Sequence, residues 1–573
     1  MNHRNEAPQL SETMTAGGAL LARLKAVGVD YIFANSGTDF PPVIEGLAEA
    51  EAKGIPLPQA IVIPHESAAM AMAHGYYLAT GRPQAVMAHT NVGLANCAIG
   101  AINAATEHIP VLLFSGKTPV SERGHLGSRT VPIGWGQEMR DQAALVREAV
   151  KWDDELRFAE HVPQMVDRAH AIATSTPRGP VYMSLPREVL CGPCPTEGLA
   201  DPPSMRPAVH SPEPATIAQA ALLLARARNP VIFAQRGAGS QVGFEALSRL
   251  ASEWAIPVCQ YWAVQLAIAT DHPMAAPADP RPLLENADVI LVIDALAPWS
   301  PDIHELKPGC KVIQLGQDPL FQRFPVRYFR SDVTIACDIE AGLLALADAL
   351  AAQEKPAGLE ARRAAIAAAS VASRTAIEAK AAAGAGDAMT KEWVSLTLSR
   401  ALFGRKATVL SELGCPLVPM RLNNARAWYQ EPHSGGLGWS FPAALGMQLA
   451  EPDRLVVATM GDGSYIFSNP AACHQIAEAL GLPILIVIVN NAEWGAVRQS
   501  VLGVYPDGYA AKANRMPLTS LVPVPDFAKI AAASNAYAET VWRGEELQAA
   551  LERAIHHIET NRGAALLNVH VRA

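Results

Sequence analysis

The chain has 573 residues, enough for three or four domains of ordinary size. Half of it is hydrophobic and 18% is charged, which excludes a disordered chain, and its 41 glycines and 44 prolines follow no collagen-like period. Lysine and arginine number 46 against 55 acidic residues, a net charge of −9 with no basic run, which argues against binding to nucleic acid or to an anionic membrane.

The chain opens with a polar stretch, MNHRNEAPQLSETMT, that has no signal-peptide core. Strand-length apolar runs follow at 31–37, 60–66, 85–89 and 110–116, with an Ala-rich helical segment over 66–80. A fifth run, GPVYMSLP, closes the first block near residue 190. Cys191-Gly-Pro-Cys194 has thioredoxin-like spacing, but the Pro-rich stretch over 192–214 stands where a helix is needed. The second block repeats the pattern at 230–235, 257–262, 288–295 and 310–316. An Ala-rich, charged stretch over about 340–385 reads as helix and connector. The third block has runs at 407–412, 455–463 and 484–491. None approaches the roughly 20 apolar residues that span a membrane. Continuous apolar strands alternating with helices predict an α/β fold of three doubly wound parallel-sheet domains, over 1–191, 210–350 and 385–573. Eight cysteines are too few for a disulfide framework, and a cytoplasmic setting is expected.

The most informative residues lie in the third block. Gly461-Asp462-Gly463 ends one predicted strand, and Asn490-Asn491 ends the next, 29 residues beyond Asp462. Ligands bind at that edge of an open parallel sheet. A carboxylate and a carboxamide are hard oxygen ligands suited to Mg²⁺, which takes few protein ligands beside phosphate oxygens. A carbonyl at Glu493 is a candidate third ligand, and the two glycines let backbone approach a phosphate. The plain alternative is a surface turn beside a polar strand end.

This pair of motifs resembles the thiamine-diphosphate motif of the superfamily containing acetolactate synthase, pyruvate decarboxylase and benzoylformate decarboxylase. The likeness runs through essentially the whole chain. Ile63-Pro64-His65-Glu66-Ser67-Ala68-Ala69 resembles the family's strand-to-helix glutamate, and Ser434-Gly435-Gly436-Leu437-Gly438-Trp439 its cofactor-bending loop. The resemblance implies pyrimidine-binding, central and diphosphate-binding domains in that order. It implies cofactor contacts at Glu66, Gly435, Leu437, Gly461, Asp462, Gly463, Ser464 and Asn491, and Mg²⁺ at Asp462, Asn491 and Glu493. Glu66 is then hydrogen-bonded to the cofactor's pyrimidine, and Leu437 props the cofactor in a bent shape.

The same resemblance implies catalytic roles for Glu66, His89, Thr38 and His272. His89 stands 23 residues after Glu66, the interval of a benzoylformate decarboxylase histidine. Thr38 matches a hydroxyl residue that meets the substrate carboxylate, and His272 matches a second histidine. Each has a bland alternative: a helix-capping carboxylate, a backbone-bonded histidine, a surface turn. The implied reaction is non-oxidative cleavage of a 2-oxo acid, ending in an aldehyde or in ligation to an aldehyde or ketone acceptor. Departures are a lysine, Lys117, where many relatives carry glutamine, and Gly136–Gln142, which looks like the synthase side. An acetolactate-synthase-like carboligase with structural FAD at the Gly237-Ala238-Gly239 turn is the alternative, and a non-catalytic scaffold homologue a third reading. A homodimer or homotetramer, with the site between subunits, is implied as well.

Overall fold

The computed structural model describes residues 13–572. The chain divides into two compact units, Met1–Ala208 and Val209–Ala573. In the first, a six-stranded sheet runs in the order Gln59–Val62, Tyr31–Ala34, Ala85–Ala88, Leu112–Lys117, Val181–Pro186, Asp153–Glu155. All five pairings are parallel. The helix Glu66–Thr80 starts where the His65 side chain accepts the Ser67 N–H, and it stops at Gly81, whose φ of 69° an L side chain resists.

The second unit holds two sheets. The central one runs Val258–Cys259, Pro230–Ala234, Val289–Ile293, Lys311–Gly316, Val333–Ala336. The other runs Trp428–Gln430, Ala407–Glu412, Leu455–Gly461, Leu485–Asn490, Ala565–His570, Tyr537–Val541. Both are wholly parallel. Their inner strands are buried along almost their whole length, as in Val289–Ile293 and Leu485–Asn490, because helices cover both faces. One buried apolar cluster joins Ile232, Leu291 and Ile313 of the central sheet to Val409, Val457 and Leu567 of the other.

All three sheets wind alike. The chain lays its first strand, adds the second on one side, then crosses to the other side for the third. That reversal makes a crevice at the carboxyl ends of strands one and three. It lies between Ala34 and Ala88 in the first sheet, Ala234 and Ile293 in the central sheet, and Glu412 and Gly461 in the last.

The Ala-rich stretch over 340–385 forms two helices, Ile339–Ala351 and Leu359–Ala382. In the Pro-rich segment, Pro193–Pro195 pairs antiparallel with Thr13–Thr15. That strand leaves no place for a thioredoxin helix after Cys191. Burial pushes the Cys194 thiol up to about 11, away from the reactive range. All eight cysteines are free thiols; seven are buried and Cys191 is half-buried. Among the described residues no helix is long and apolar enough to cross a membrane.

Candidate active site

At the crevice of the first sheet, Glu66 is buried at the start of its helix. Asn35 Nδ2 donates to its Oε1 at 2.9 Å and Asn96 Nδ2 to its Oε2 at 3.0 Å. Asn35 follows the first strand, and Asn96 comes from the helix Thr90–Thr106. Gly93 in that helix is required, since a Cβ there would stand 2.9 Å from Glu66 Oε1. Two amides thus fix both carboxyl oxygens, and each oxygen keeps a second lone-pair direction.

His89 directly follows the strand Ala85–Ala88, at the edge of the crevice. Its Nδ1 is hydrogen-bonded to Asp39 Oδ1, and Gln137 Nε2 donates to its Nε2 at 3.1 Å. These partners assign the proton to Nδ1 and leave Nε2 as the accepting nitrogen. The Asp39 hydrogen bond raises the pKa of His89, with burial opposing it. Asp39 is buried, and its Oδ2 makes no hydrogen bond. Two glycines clear space for the pair: a Cβ on Gly37 would stand 2.2 Å from the His89 ring, and one on Gly116 would collide with the Asp39 carboxyl. Thr90, next in the chain, holds φ at 43°, a strained value for a β-branched residue.

Thr38 is exposed beside Asp39, and its carbonyl accepts Arg187 Nη1 at 3.0 Å. Lys117 bonds Glu155 Oε2 at 2.6 Å, so its charge is matched within the unit.

In the last sheet, Asp462 begins a short helix directly after its strand and is buried. Its Oδ1 accepts the Gly463 N–H at 2.8 Å, while Oδ2 is buried without a hydrogen bond. Burial pushes the Asp462 carboxyl up, and the Gly463 amide, with the nearby amides of Ala492, Glu493 and Asn491, partly offsets this. The two strand-end motifs therefore meet, as their spacing predicts. Asn491 is half-buried, its Oδ1 accepting the Glu493 N–H at 3.2 Å. The Glu493 carbonyl accepts the Gly495 N–H at 2.8 Å and keeps its second lone pair. The Glu493 side chain turns away, to Arg498 and Thr519.

An orphaned buried carboxylate oxygen beside a carboxamide and a backbone carbonyl fits a divalent cation that also holds phosphate oxygens. Among the described residues no three His, Cys, Asp or Glu side chains gather at metal-binding spacing, so such an ion would depend on those other oxygens.

Other expectations are modified. The side of Gly463 where a Cβ would stand is filled by Trp494, whose ring would lie 2.3 Å from it. A Cβ on Gly461 would make only an ordinary contact, with the Leu413 carbonyl oxygen at 3.7 Å. Gly435 is exposed at φ 69°, and Leu437 is half-buried in the same loop. Ser464 is buried in the short helix after Asp462, and Glu412 is a buried carboxylate that sequence reasoning missed. His272 is spent locally in the central domain: its Nδ1 accepts the Met274 N–H at 3.0 Å and its Nε2 meets Ser252 Oγ at 3.3 Å.

The crevice of the central sheet is packed with protein. Arg236 and Asp294, from the two strand ends, lie 3.7 Å apart. The guanidinium groups of Arg236 and Arg327 stand 4.8 and 4.6 Å from the Phe321 ring centre. Gly237 and Gly239 hold φ values of 75° and 83° and pack against Gln265 and Ile339. That glycine turn serves packing within the domain.

Asp39, Asn35, Asn96 and Glu412 were missed because none stands in a recognisable spacing; their pairings, made at strand ends and, for Asn96, from the helix Thr90–Thr106, exist only in the fold.

Comparison with known proteins agrees with this geometry. The N-terminal TPP binding domain of thiamine pyrophosphate enzymes matches residues 14–145, their central domain 217–377, and their C-terminal TPP binding domain 413–569. The chain is 28% identical over 507 residues to a probable 2-ketoarginine decarboxylase, AruI, of Pseudomonas aeruginosa, covering 86% of this chain and 85% of the relative. It is 28% identical over 556 residues to benzoylformate decarboxylase of the same organism, covering 93% and 95%. It is 25% identical over 569 residues to a probable acetolactate synthase large subunit of Methanocaldococcus jannaschii, covering 95% and 90%. The fold is shared with a thiamine diphosphate-dependent 4-hydroxybenzoylformate decarboxylase of Rhodococcus jostii, at a TM-score of 0.77 and 23% identity over 98% of this chain and 99% of that one. With all three domain types matched in order along the chain, it belongs to the thiamine pyrophosphate enzymes.

Proposed function

We propose that this enzyme uses thiamine diphosphate and Mg²⁺ to cleave a 2-oxo acid without oxidation, acting as a decarboxylase of the benzoylformate type. The observation that carries this reading is the His89–Asp39 pair beside Glu66 in one crevice. Bound thiamine diphosphate supplies a carbon nucleophile and an electron sink for breaking the bond between the carboxyl and carbonyl carbons. The chain's own work is to bind, orient and move protons. Asp462, Asn491 and the Glu493 carbonyl hold the divalent ion, and Gly461 gives the phosphates room. Glu66, fixed by two asparagines, offers its carboxyl to the pyrimidine end, which Gly435 and Leu437 support from the other side. Thr38 meets the substrate carboxylate. His89 carries a proton on Nε2 to or from the reacting carbon, while Asp39 keeps Nδ1–H in place.

Decarboxylase and synthase relatives are equally broad in coverage. The packed central crevice favours the decarboxylase reading over a synthase with structural FAD. The eight free thiols accord with a cytoplasmic setting. We read the working unit as a homodimer or a homotetramer, with Glu66 of one copy facing Asp462 of another. Supporting this, the helix Thr90–Thr106 exposes Val92, Ala95 and Ile102 at helical spacing.

A panel of 2-oxo acids (pyruvate, benzoylformate, branched-chain, and cationic 2-oxo acids), scored for CO₂ and for ligation product, tests the reading. CO₂ and the matching aldehyde from one acid are expected. Ligation product alone would favour the synthase, and no turnover with loaded cofactor would leave the scaffold reading.

A further inference from the structure

We propose that Glu412 is a positioning residue, which locks the cofactor-supporting loop Gly435–Trp439 to the Asp462 strand end. This rests on the cofactor site described under the proposed function. Glu412 ends the strand Ala407–Glu412 and is 1% exposed. Its Oε1 accepts the Gly438 N–H at 2.6 Å. Its Oε2 accepts the N–H groups of Trp439 and Ser440, both at 2.7 Å. Its strand pairs directly with Leu455–Gly461, which places Glu412 opposite Met460, two residues before Asp462.

These amides are the first donors of the helix Ser440–Ala450, whose own cap residue, Trp439, makes no side-chain cap bond. Helix starts are ordinarily capped by a Ser, Thr, Asp or Asn next to the helix. Here the cap comes from a neighbouring strand. A local cap would stabilise the helix equally and leave its start free to shift. A cap on Glu412 fixes that start against the crevice of the sheet. Charge-assisted bonds to the positive end of a helix are among the stronger ones in a protein interior.

The loop is pressed from its other side too. Gly438 holds φ at 83°, and a Cβ there would stand 2.6 Å from the Phe467 carbonyl oxygen, at the end of the short Asp462 helix. Leu437 therefore precedes a residue clamped between Glu412 and Phe467. Glu431 is a second buried carboxyl near by, accepting the Leu413 N–H at 3.4 Å. Burial and the Glu412 charge push it up to about 8. Burial pushes the Glu412 carboxyl up as well, and its three amide donors oppose that shift.

The test compares the full-length wild type with Glu412→Gln and Glu412→Asp. Three readouts serve: amide hydrogen exchange at 438–440 without cofactor, calorimetric affinity for thiamine diphosphate with Mg²⁺, and exchange of the bound cofactor's thiazolium C2 proton. The Gln variant is expected to speed amide exchange and slow C2-proton exchange, each by roughly tenfold or more, the loss typical of a charge-assisted bond. Affinity should fall less, because Asp462 and Asn491 are untouched. The Asp variant, which keeps the carboxyl, should recover part of the C2 exchange. Should Gln prevent folding, the Asp variant decides: C2 exchange within about twofold of wild type together with loosened amides overturns the proposal. So does a folded, loaded Gln variant with wild-type C2 exchange. A wild-type protein that binds no thiamine diphosphate overturns the cofactor site itself, and this proposal with it.

Discussion

The pKa of His89 is raised chiefly by its hydrogen bond to Asp39, against the pull of burial. Asp39→Asn removes the charge and keeps the shape, so the imidazolium loses its proton at lower pH. If protonated His89 is the acid, the alkaline limb of kcat/KM moves to lower pH in this variant, and an unmoved limb would remove Asp39 from the proton chemistry. His89→Ala should cost roughly 10²–10⁴-fold in turnover, as for a general acid–base group. His89 was legible in the sequence from its interval after Glu66. Asp39 was not, because its pairing depends on two strand ends meeting at a sheet reversal. The sequence clue was indirect: Gly37 and Gly116 are the residues that this pair requires to be small. The converse holds for His272, where a matching motif is spent on a local turn.

At the scale of elements, the strand ends of the last sheet carry two buried carboxyls, Glu412 and Glu431, both pushed up by burial. Glu431 is pushed up to about 8. An acid whose folded pKa is raised stabilises the fold fully below its unfolded value, roughly 4.3, and loses that contribution as pH rises through about 8. Stability of the wild type relative to Glu431→Gln should therefore decline between those limits. Thermal melts of both proteins across that window check it, and parallel curves would refute it. Gly463→Ala tests the neighbouring contact: a methyl group 2.3 Å from the Trp494 ring must displace it. A loss of about 1–3 kcal/mol with altered Trp fluorescence is expected. Unchanged stability and fluorescence would show the ring is free to yield. Inner strands such as Val289–Ile293 were readable as continuous apolar runs because both faces are covered. Edge strands such as Asp153–Glu155 and Trp428–Gln430 were not, being three residues long and partly exposed or polar.

For the molecule as a whole, one winding is used three times. The central sheet repeats the crevice but fills it with Arg236, Asp294, Phe321 and Arg327. The sequence pattern revealed the three repeats; which crevice is plugged depends on side chains brought together from distant strand ends. If the site forms between copies, sedimentation at working concentration should show a dimer or larger species carrying all the activity. An active monomer would refute that assembly.

The distribution of cysteines has a practical consequence. Since Cys191 is half-buried and the other seven are buried, a small alkylating reagent should label the native enzyme once per chain, at Cys191. Mass spectrometry can then read each extra adduct as a breathing event of a known neighbourhood. Cys97 would report on the helix that carries Asn96, and Cys415 on the segment after Glu412. Rapid native labelling of several thiols would contradict the packing described. The enzyme thus carries its own set of silent reporters, one beside each half of the chemistry, with no tag or dye to engineer.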